Sequence, residues 1–233
     1  MLTDPTEDYA RGWIPFLDTK VYLDSHPLIP RTETEYWVER AIAEMLDVRR
    51  PTFRVLDLFA GSGAIGLAVL KHVPKAHVTF AEKETRHFPT IQKSLRDNHL
   101  TPDIRGDIGQ RATIIQTDVW TPMKDVRRPS LGRFDCVLAN PPYGSEERGT
   151  ASAEVLVHEP REALFAAKDG FYFIEKTILG LAKHLTDDGI AYIEHEPHHL
   201  KDIETLGTQC GFSVLSRRDQ YGNYRFSRLS SMA

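Results

Sequence analysis

At 233 residues, 41% of them hydrophobic and 27% charged, the chain is long enough for one large α/β domain with a full core. Its net charge is −4, and the paired arginines (Arg49-Arg50, Arg127-Arg128, Arg217-Arg218) are scattered, which argues against a nucleic-acid partner bound through phosphate neutralisation. No apolar run approaches the ~20 residues of a membrane span, and Met1 to Ala10 carries Asp4, Glu7 and Asp8 with no apolar core, so we expect no signal or transit peptide and a cytoplasmic protein. Two cysteines, Cys136 and Cys210, fall inside apolar elements and read as small buried hydrophobes of a reducing compartment, not as a disulfide or metal site.

Residues 1–30 lack helical periodicity and form an N-terminal extension, with a possible small hairpin over Phe16 to Leu23. Thr32-Glu33-Thr34-Glu35 fits a capping box, in which the Thr hydroxyl takes an orphan N–H and the Glu reaches back. Val38, Ala41, Ile42, Met45 and Leu46 continue one apolar helical face, and Pro51 forbids its extension. The first core strand runs from Arg54 to Phe59 and leads through a glycine turn into a helix ending near Pro74. His77 to Glu82 is an alternating strand, Thr85 to His99 a helix, Ala112 to Asp118 a third strand and 121–132 a loop. Phe134 to Ala139 is a fourth strand entering Asn-Pro-Pro-Tyr-Gly. The stretch 145–168 reads as irregular, with one short helix around 161–167. Gly170 to Leu185 is an amphipathic helix, Gly189 to Glu194 a strand and His198 to Cys210 a helix. Phe212–Arg218 and Tyr224–Leu229 flank a turn at Tyr221-Gly222-Asn223, a closing hairpin. Strands alternating with helices predict a mostly parallel sheet covered on both faces, its last strand antiparallel, in one domain over 31–233.

The chain is organised around Arg54 to Gly66, where Gly61, Gly63 and Gly66 fall at G-x-G-x-x-G spacing between a strand and a helix. Glycine is needed there because the turn demands permissive dihedrals and a ligand must approach bare backbone. The spacing alone suits nicotinamide, flavin or S-adenosylmethionine, or a plain tight turn. Ligands of open α/β sheets gather at the carboxyl ends of the strands. Asp57, Glu82, Asp118 and Asn140 stand at or near such ends. Glu82, 19 residues after Gly63, is placed to grip ribose hydroxyls, its alternative being a solvated helix cap. Asp118 also fits ordinary loop punctuation.

Asn140-Pro141-Pro142-Tyr143 is more specific. Two prolines fix φ and leave their carbonyls free and rigidly aimed, and Asn adds a side-chain acceptor and an NH₂ donor. Such an acceptor pair can hold a planar –NH₂ by both hydrogens, with Tyr143 stacked beside it. That steers a delocalised, weakly nucleophilic nitrogen toward a methyl donor by positioning. Asn in place of Asp leaves no carboxylate there as a general base.

Together these motifs resemble the class I S-adenosylmethionine-dependent methyltransferases that act on a planar nitrogen. Leu28-Ile29-Pro30-Arg31-Thr32-Glu33-Thr34-Glu35, His158-Glu159-Pro160-Arg161-Glu162-Ala163-Leu164-Phe165 with Asp169-Gly170, and Asp219 to Arg225 narrow the resemblance. It is to the protein-(glutamine-N5) methyltransferases of the HemK/PrmC type, which modify the glutamine of the Gly-Gly-Gln motif in peptide-chain release factors. The resemblance covers about residues 14–230. It implies a Rossmann-like seven-stranded, mostly parallel sheet with an antiparallel C-terminal hairpin strand, S-adenosylmethionine as cofactor and a release factor as protein substrate. It further implies that Asp57, Phe59, Gly61 and Gly63 hold the methionine portion, that Glu82 takes the ribose and that Asp118 with Val119 borders the adenine. Asn140 and the Pro141 carbonyl, with Pro142 and Tyr143 beside them, would hold the glutamine amide. Glu33, Glu35 and Glu159 would shape the substrate pocket, helix capping being the alternative for Glu35.

Two positions depart from the family pattern: Thr32 replaces its usual Pro, and Glu82 its common Asp. The chain also begins almost at the methyltransferase domain, where family members usually carry a helical domain. Glu194, His195, Glu196, His198 and His199 match no metal-ligand spacing and read as surface residues of a strand-to-helix corner, so no metal is assigned. Alternatives are an adenine-N6 methyltransferase on DNA or RNA, a nicotinamide oxidoreductase, which offers no role for Asn-Pro-Pro-Tyr, and a non-catalytic cofactor-binding module.

Overall fold

The apolar runs of the chain become the strands of one twisted sheet, seen in a computed structural model that describes residues 5–48, 50–100, 111–123, 131–150 and 153–232. Helix α1 (Pro5–Arg11) precedes a hairpin of β1 (Trp13–Phe16) and β2 (Thr19–Tyr22), and α2 (Thr32–Asp47) follows. The main run is β3 (Phe53–Leu58), α3 (Ala64–His72), β4 (Ala76–Glu82), α4 (Phe88–Asp97), β5 (Ala112–Asp118), β6 (Thr121–Pro122) and β7 (Phe134–Ala139). Then come α5 (Ala153–His158), α6 (Arg161–Leu164), α7 (Tyr172–His184), β8 (Leu185–Glu194), α8 (Leu200–Gln209), β9 (Phe212–Arg218) and β10 (Tyr224–Ser231).

The sheet order is β6-β5-β4-β3-β7-β8-β10-β9. Strands β5, β4, β3, β7 and β8 are parallel, and β10 inserts antiparallel between β8 and β9. The chain reverses its direction of travel across the sheet at β3, so a crevice opens beyond the carboxyl ends of β3 and β7, where such folds bind ligands. Alternation along the strands sends side chains to two cores. Val55, Phe80, Leu138 and Phe226 pack with Trp37, Leu67, Ile91 and the hairpin's Phe16 and Val21. On the other face Leu56, Leu58, Val137 and Ile193 meet Ile174, Ile178, Leu181 and Ile203.

Several expectations are corrected. The two-residue β6 adds an eighth strand to the expected seven and occupies part of the supposed loop; Arg127-Arg128 and Pro129 of that loop lie outside the described residues. Helix α1 forms within the stretch thought to lack helix, with Glu7 and Asp8 in its first turn at the positive end of the helix dipole. The hairpin starts earlier, at Trp13, and turns through Leu17 and Asp18, both at positive φ. Helix α5 lies in a stretch read as irregular. Strand β8 begins at Leu185, paired with Phe134 ahead of a register shift.

The capping box does not form. Arg31 is the N-cap of α2, with no side-chain capping bond. Glu35 Oε1 instead accepts the Leu17 N–H of the hairpin turn at 2.8 Å, and the Thr32 hydroxyl donates to Glu33 at 3.1 Å. A tertiary partner has taken the carboxylate that local pairing would have used.

Candidate active site

The glycine turn is shaped by left-handed backbone. Phe59 (φ 65°), Gly61 (φ 51°) and Gly63 (φ 81°) all sit at positive φ, and the Gly63 N–H closes the turn on the Ala60 carbonyl at 2.6 Å. Gly66 is needed for space, since a methyl there would lie within 2.8 Å of the buried Phe80 ring. Asp57 is wholly buried, and its Oδ2 accepts the Gly66 N–H at 2.9 Å, fastening the first turn of α3. Burial pushes its pKa up to about 8, the Gly66 bond pulling the other way and the nearby Glu82 charge adding to the rise. Its Oδ1 is buried with no hydrogen-bond partner among the described residues.

Glu82, at the end of β4, closes the turn from the other side. Its Oε2 accepts the Gly61 N–H and its Oε1 the Glu84 N–H, each at 2.8 Å. Burial raises its pKa, and these backbone bonds oppose the rise. A cleft of about 200 Å³ opens over this carboxylate. Leu58, Ala81 and Val119 give it apolar walls, Phe59 and Phe173 meet edge to face at 5.7 Å, and Asn140 and Pro142 form the far side. Asp118 stands at the rim, half exposed, with Lys83 Nζ 3.7 Å away.

Of the residues singled out in the sequence, Phe59, Gly61, Glu82, Asp118, Val119, Asn140 and Pro142 therefore line one cleft. Asp57, Gly63, Pro141 and Tyr143 are not part of its lining; Asp57 is a buried fastening of the glycine turn and does not reach the wall. Glu33, Glu35 and Glu159 do not line it either. Glu159 is buried against Arg31, Oε1 to Nη2 2.6 Å, and clamps 28–31 onto the 153–164 segment. Leu28, Pro160, Glu162 and Ala163 reach the cleft from those two segments. Arg86 and Glu162, 2.7 Å apart, bridge its mouth.

Behind Asn140 lies a polar network joining distant parts of the chain. Asn140 Nδ2 donates to Thr34 Oγ1 at 3.3 Å. The Thr34 hydroxyl and the Trp37 indole N–H both donate to Glu194 Oε2, at 2.7 and 2.6 Å. The Tyr143 hydroxyl donates to Glu194 Oε1 at 2.7 Å. Burial raises the Tyr143 pKa well above its usual range, and the Glu194 charge adds to this. Burial also raises that of Glu194, opposed by its three donors. The tetrapeptide is held from outside as well. Gly144 pairs with Phe165, through Gly144 N–H to Leu164 O at 2.8 Å and Ala166 N–H to Gly144 O at 3.1 Å. Gly170, at φ 87°, lies so close to Tyr143 that a methyl would come within 2.8 Å of the Tyr143 carbonyl carbon. The Pro141 carbonyl accepts no hydrogen bond from the described residues.

The surface reading of 194–199 is overturned for three of its five residues, while Glu196 and His198 stay partly exposed. Glu194, His195 and His199 are buried. His195 bridges Ser227 Oγ (2.8 Å) and the Glu196 carbonyl (2.9 Å), and burial lowers its pKa to about 4. His199 binds the Asp169 carbonyl at 2.9 Å. Among the described residues no group of three or more His, Cys, Asp or Glu could hold a metal. The sequence reading placed Thr34 in a capping motif and Glu194 at a surface corner and did not single out Trp37; the available signal was a third acidic residue closing an apolar strand.

The family model of the methyltransferase small domain matches residues 39–188. The chain belongs to that family. A release factor glutamine methyltransferase of Thermodesulfovibrio yellowstonii is 29% identical over 208 residues, 89% of this chain and 69% of the relative. One from Rhodopirellula baltica is 30% identical over 203 residues, 86% of this chain and 64% of its own length. The methyltransferase thus spans about two thirds of these relatives. A crystal structure of a methyltransferase from Pyrococcus furiosus superposes with a TM-score of 0.62 at 15% identity, covering 99% of this chain and 96% of that one. The fold is that of the class I S-adenosylmethionine-dependent methyltransferases.

S-adenosylmethionine is the methyl donor of this class, and the cleft residues of this methyltransferase suit it. A carboxylate has about four lone-pair positions. Glu82 uses one on each oxygen for backbone N–H groups, which leaves acceptors for two neighbouring ribose hydroxyls. Leu58, Val119 and Phe173 offer an apolar slot for a flat base, and the Phe59–Gly61 backbone can be approached closely. Among the described residues no helix is long and apolar enough to cross a membrane.

Proposed function

We propose that this methyltransferase moves the methyl group of S-adenosylmethionine onto the side-chain amide nitrogen of a glutamine, that of the Gly-Gly-Gln motif of a peptide-chain release factor. The observation that carries the reading is the pair of acceptors at the end of β7. Asn140 commits its NH₂ to Thr34 and so leaves its side-chain oxygen for the cleft, next to a Pro141 carbonyl that accepts nothing from the described residues. Two fixed acceptors hold both hydrogens of a planar –NH₂ and leave its face toward the donor. The names of the relatives supply the acceptor class.

Transfer is a direct displacement. The S–CH₃ bond breaks as the N–CH₃ bond forms, the sulfonium becomes a neutral thioether, and the amide sheds one of its two hydrogens as a proton. The site's contribution is orientation and aimed dipoles, which can be worth several powers of ten in rate. In this reading residues 31–233 carry the catalysis. Residues 1–30 brace it through β1–β2, whose Tyr22 and Lys20 amides bond Ser94 and Asn98 of the α4 region. The reaction takes place in the cytoplasm, beside the translation machinery.

The test is transfer from labelled S-adenosylmethionine to four acceptors in parallel: a release factor, the same factor with its Gly-Gly-Gln glutamine replaced, duplex DNA and single-stranded RNA. Label on the intact factor alone is the expected result. Label on nucleic acid would replace the reading with adenine methylation.

A further inference from the structure

Resting on that reading, we infer that Thr34, Trp37 and Glu194 are positioning residues that fix the polarity of Asn140, so that the cleft presents an acceptor and selects an amide –NH₂ over a carboxylate. The chain of reasoning starts at Trp37. An indole N–H can only donate, and it points at Glu194 Oε2 at 2.6 Å. With Glu194 ionised neither of its oxygens has a hydrogen to give, and Oε2 accepts from the indole. The Thr34 hydroxyl, 2.7 Å from the same Oε2, must then give its single hydrogen to Glu194. With that hydrogen spent, Thr34 Oγ1 can only accept from its other neighbour. That neighbour is Asn140, 3.3 Å away, which must turn its NH₂ inward.

The opposite amide orientation would bring Asn140 Oδ1 against an oxygen with no hydrogen to give. Two acceptors facing each other in a part-buried site lose their hydration with no hydrogen bond to offset the cost. That cost excludes the orientation in which the cleft would offer an N–H. Side-chain amide orientation is ordinarily assigned from its hydrogen-bond partners, and here the ionised Glu194 carboxylate, held by the Trp37 indole, sets it two groups away. All three residues are buried: Trp37 at 0% exposure, Thr34 and Glu194 at 1%. Nothing in the transfer step itself requires a carboxylate at 194, and fixing Asn140 and Tyr143 accounts for its presence.

The consequence is discrimination. A glutamine side chain donates two N–H groups to the Asn140 and Pro141 oxygens. A glutamate at the same place brings a charged oxygen to the same acceptors and is repelled. Loss of the relay frees Asn140 to flip, and a flipped Asn140 would welcome that oxygen.

The test compares Thr34→Val, which keeps the shape and removes the hydroxyl, with Thr34→Ser, which keeps the hydroxyl. Three quantities are read on the full chain: kcat and KM with a release factor, inhibition by the same factor carrying Gly-Gly-Glu, and the dissociation constant of S-adenosylmethionine by calorimetry. Thr34→Val is expected to lose ten- to a hundredfold in kcat, to be inhibited at least tenfold more tightly by the Gly-Gly-Glu factor, and to bind S-adenosylmethionine within threefold of the unsubstituted enzyme. Thr34→Ser is expected to match the unsubstituted enzyme in all three. A fourth readout needs no turnover: the side-chain amide signal of Asn140 in asparagine-labelled protein, assigned with Asn140→Asp, should shift in Thr34→Val and not in Thr34→Ser. An unmoved signal in Thr34→Val overturns the relay even if no acceptor is ever methylated. Equal discrimination by Thr34→Val and the unsubstituted enzyme, or equal losses in the Val and Ser variants, overturns it by kinetics. Release-factor methylation absent from the unsubstituted enzyme, with the amide signal moving as expected, would instead sink the acceptor assignment and leave the relay standing.

Discussion

Glu82 holds Gly61 by its backbone, Oε2 to N 2.8 Å, across 21 residues of chain. One carboxylate thus shapes the glycine turn and faces the cleft beside it. In Glu82→Gln one oxygen becomes an NH₂, which must confront either the Gly61 or the Glu84 N–H. A charge-assisted hydrogen bond of this kind is worth about 1.5–3 kcal/mol. The variant should bind S-adenosylmethionine ten- to a hundredfold more weakly by calorimetry. An unchanged dissociation constant would remove Glu82 from the cofactor site.

Asp57 gives a pH signature. Its folded pKa of about 8 lies above the ordinary 3.8, so the folded chain keeps a proton that the unfolded chain releases. The stability this group contributes is fully present below about pH 4 and is lost as pH rises through about 8. Asp57→Asn can keep the Gly66 bond through its side-chain carbonyl while removing the titration. Urea unfolding at pH 6 and pH 9 should show the unsubstituted chain losing on the order of 2 kcal/mol more than the variant. Parallel losses would mean that Asp57 stays ionised in the fold.

Arg31 and Glu159 join the 28–31 and 153–164 segments, and the Glu159 side chain has no exposure. Removing one partner strands a buried charge, at a cost of roughly 3–5 kcal/mol. Arg31→Ala should therefore lower the urea midpoint markedly, and Arg31→Met with Glu159→Leu should recover most of the loss. If the single variant is as stable as the parent, the pair does not clamp the cleft wall.

Asn140→Ala removes the side-chain acceptor and leaves the Pro141 carbonyl. One hydrogen of the amide is then unheld, and transfer should fall at least a hundredfold while S-adenosylmethionine binding changes less than threefold. Full activity in this variant would falsify the role given to the tetrapeptide.

The parallel strands β3, β4, β5 and β7 were legible in the sequence because each is a run of six or seven residues rich in apolar side chains that ends at a carboxylate, at the glycine turn or at Asn-Pro-Pro. Glu82 and Asn140 were legible because they end such runs at fixed distances from the glycine turn. What could not be read depends on partners far along the chain. Glu35 fits a capping box locally, but the Leu17 amide reaches it from the hairpin. His195 looks like a surface residue until Ser227 of β10 comes beside it. Helix α1 was hidden by brevity, its seven residues being too few to show a period. The relay behind Asn140 was hidden for the same reason as His195, since Thr34, Trp37 and Glu194 meet only when the sheet is complete.

The two halves of the site differ in how much chain they must gather. The bonds that shape the donor side span 9 and 21 residues, Asp57 to Gly66 and Gly61 to Glu82. Those behind the acceptor span 106 and 160, Asn140 to Thr34 and Thr34 to Glu194. Longer loops cost more entropy to close, and long-range pairings are the slow events of folding. The glycine turn can therefore take shape early on a growing or refolding chain, while the selection of acceptor waits for β8 to dock beside β7. Separation of β8, with β10 and β9, from β7 would leave a protein that still holds its methyl donor and no longer judges what to methylate.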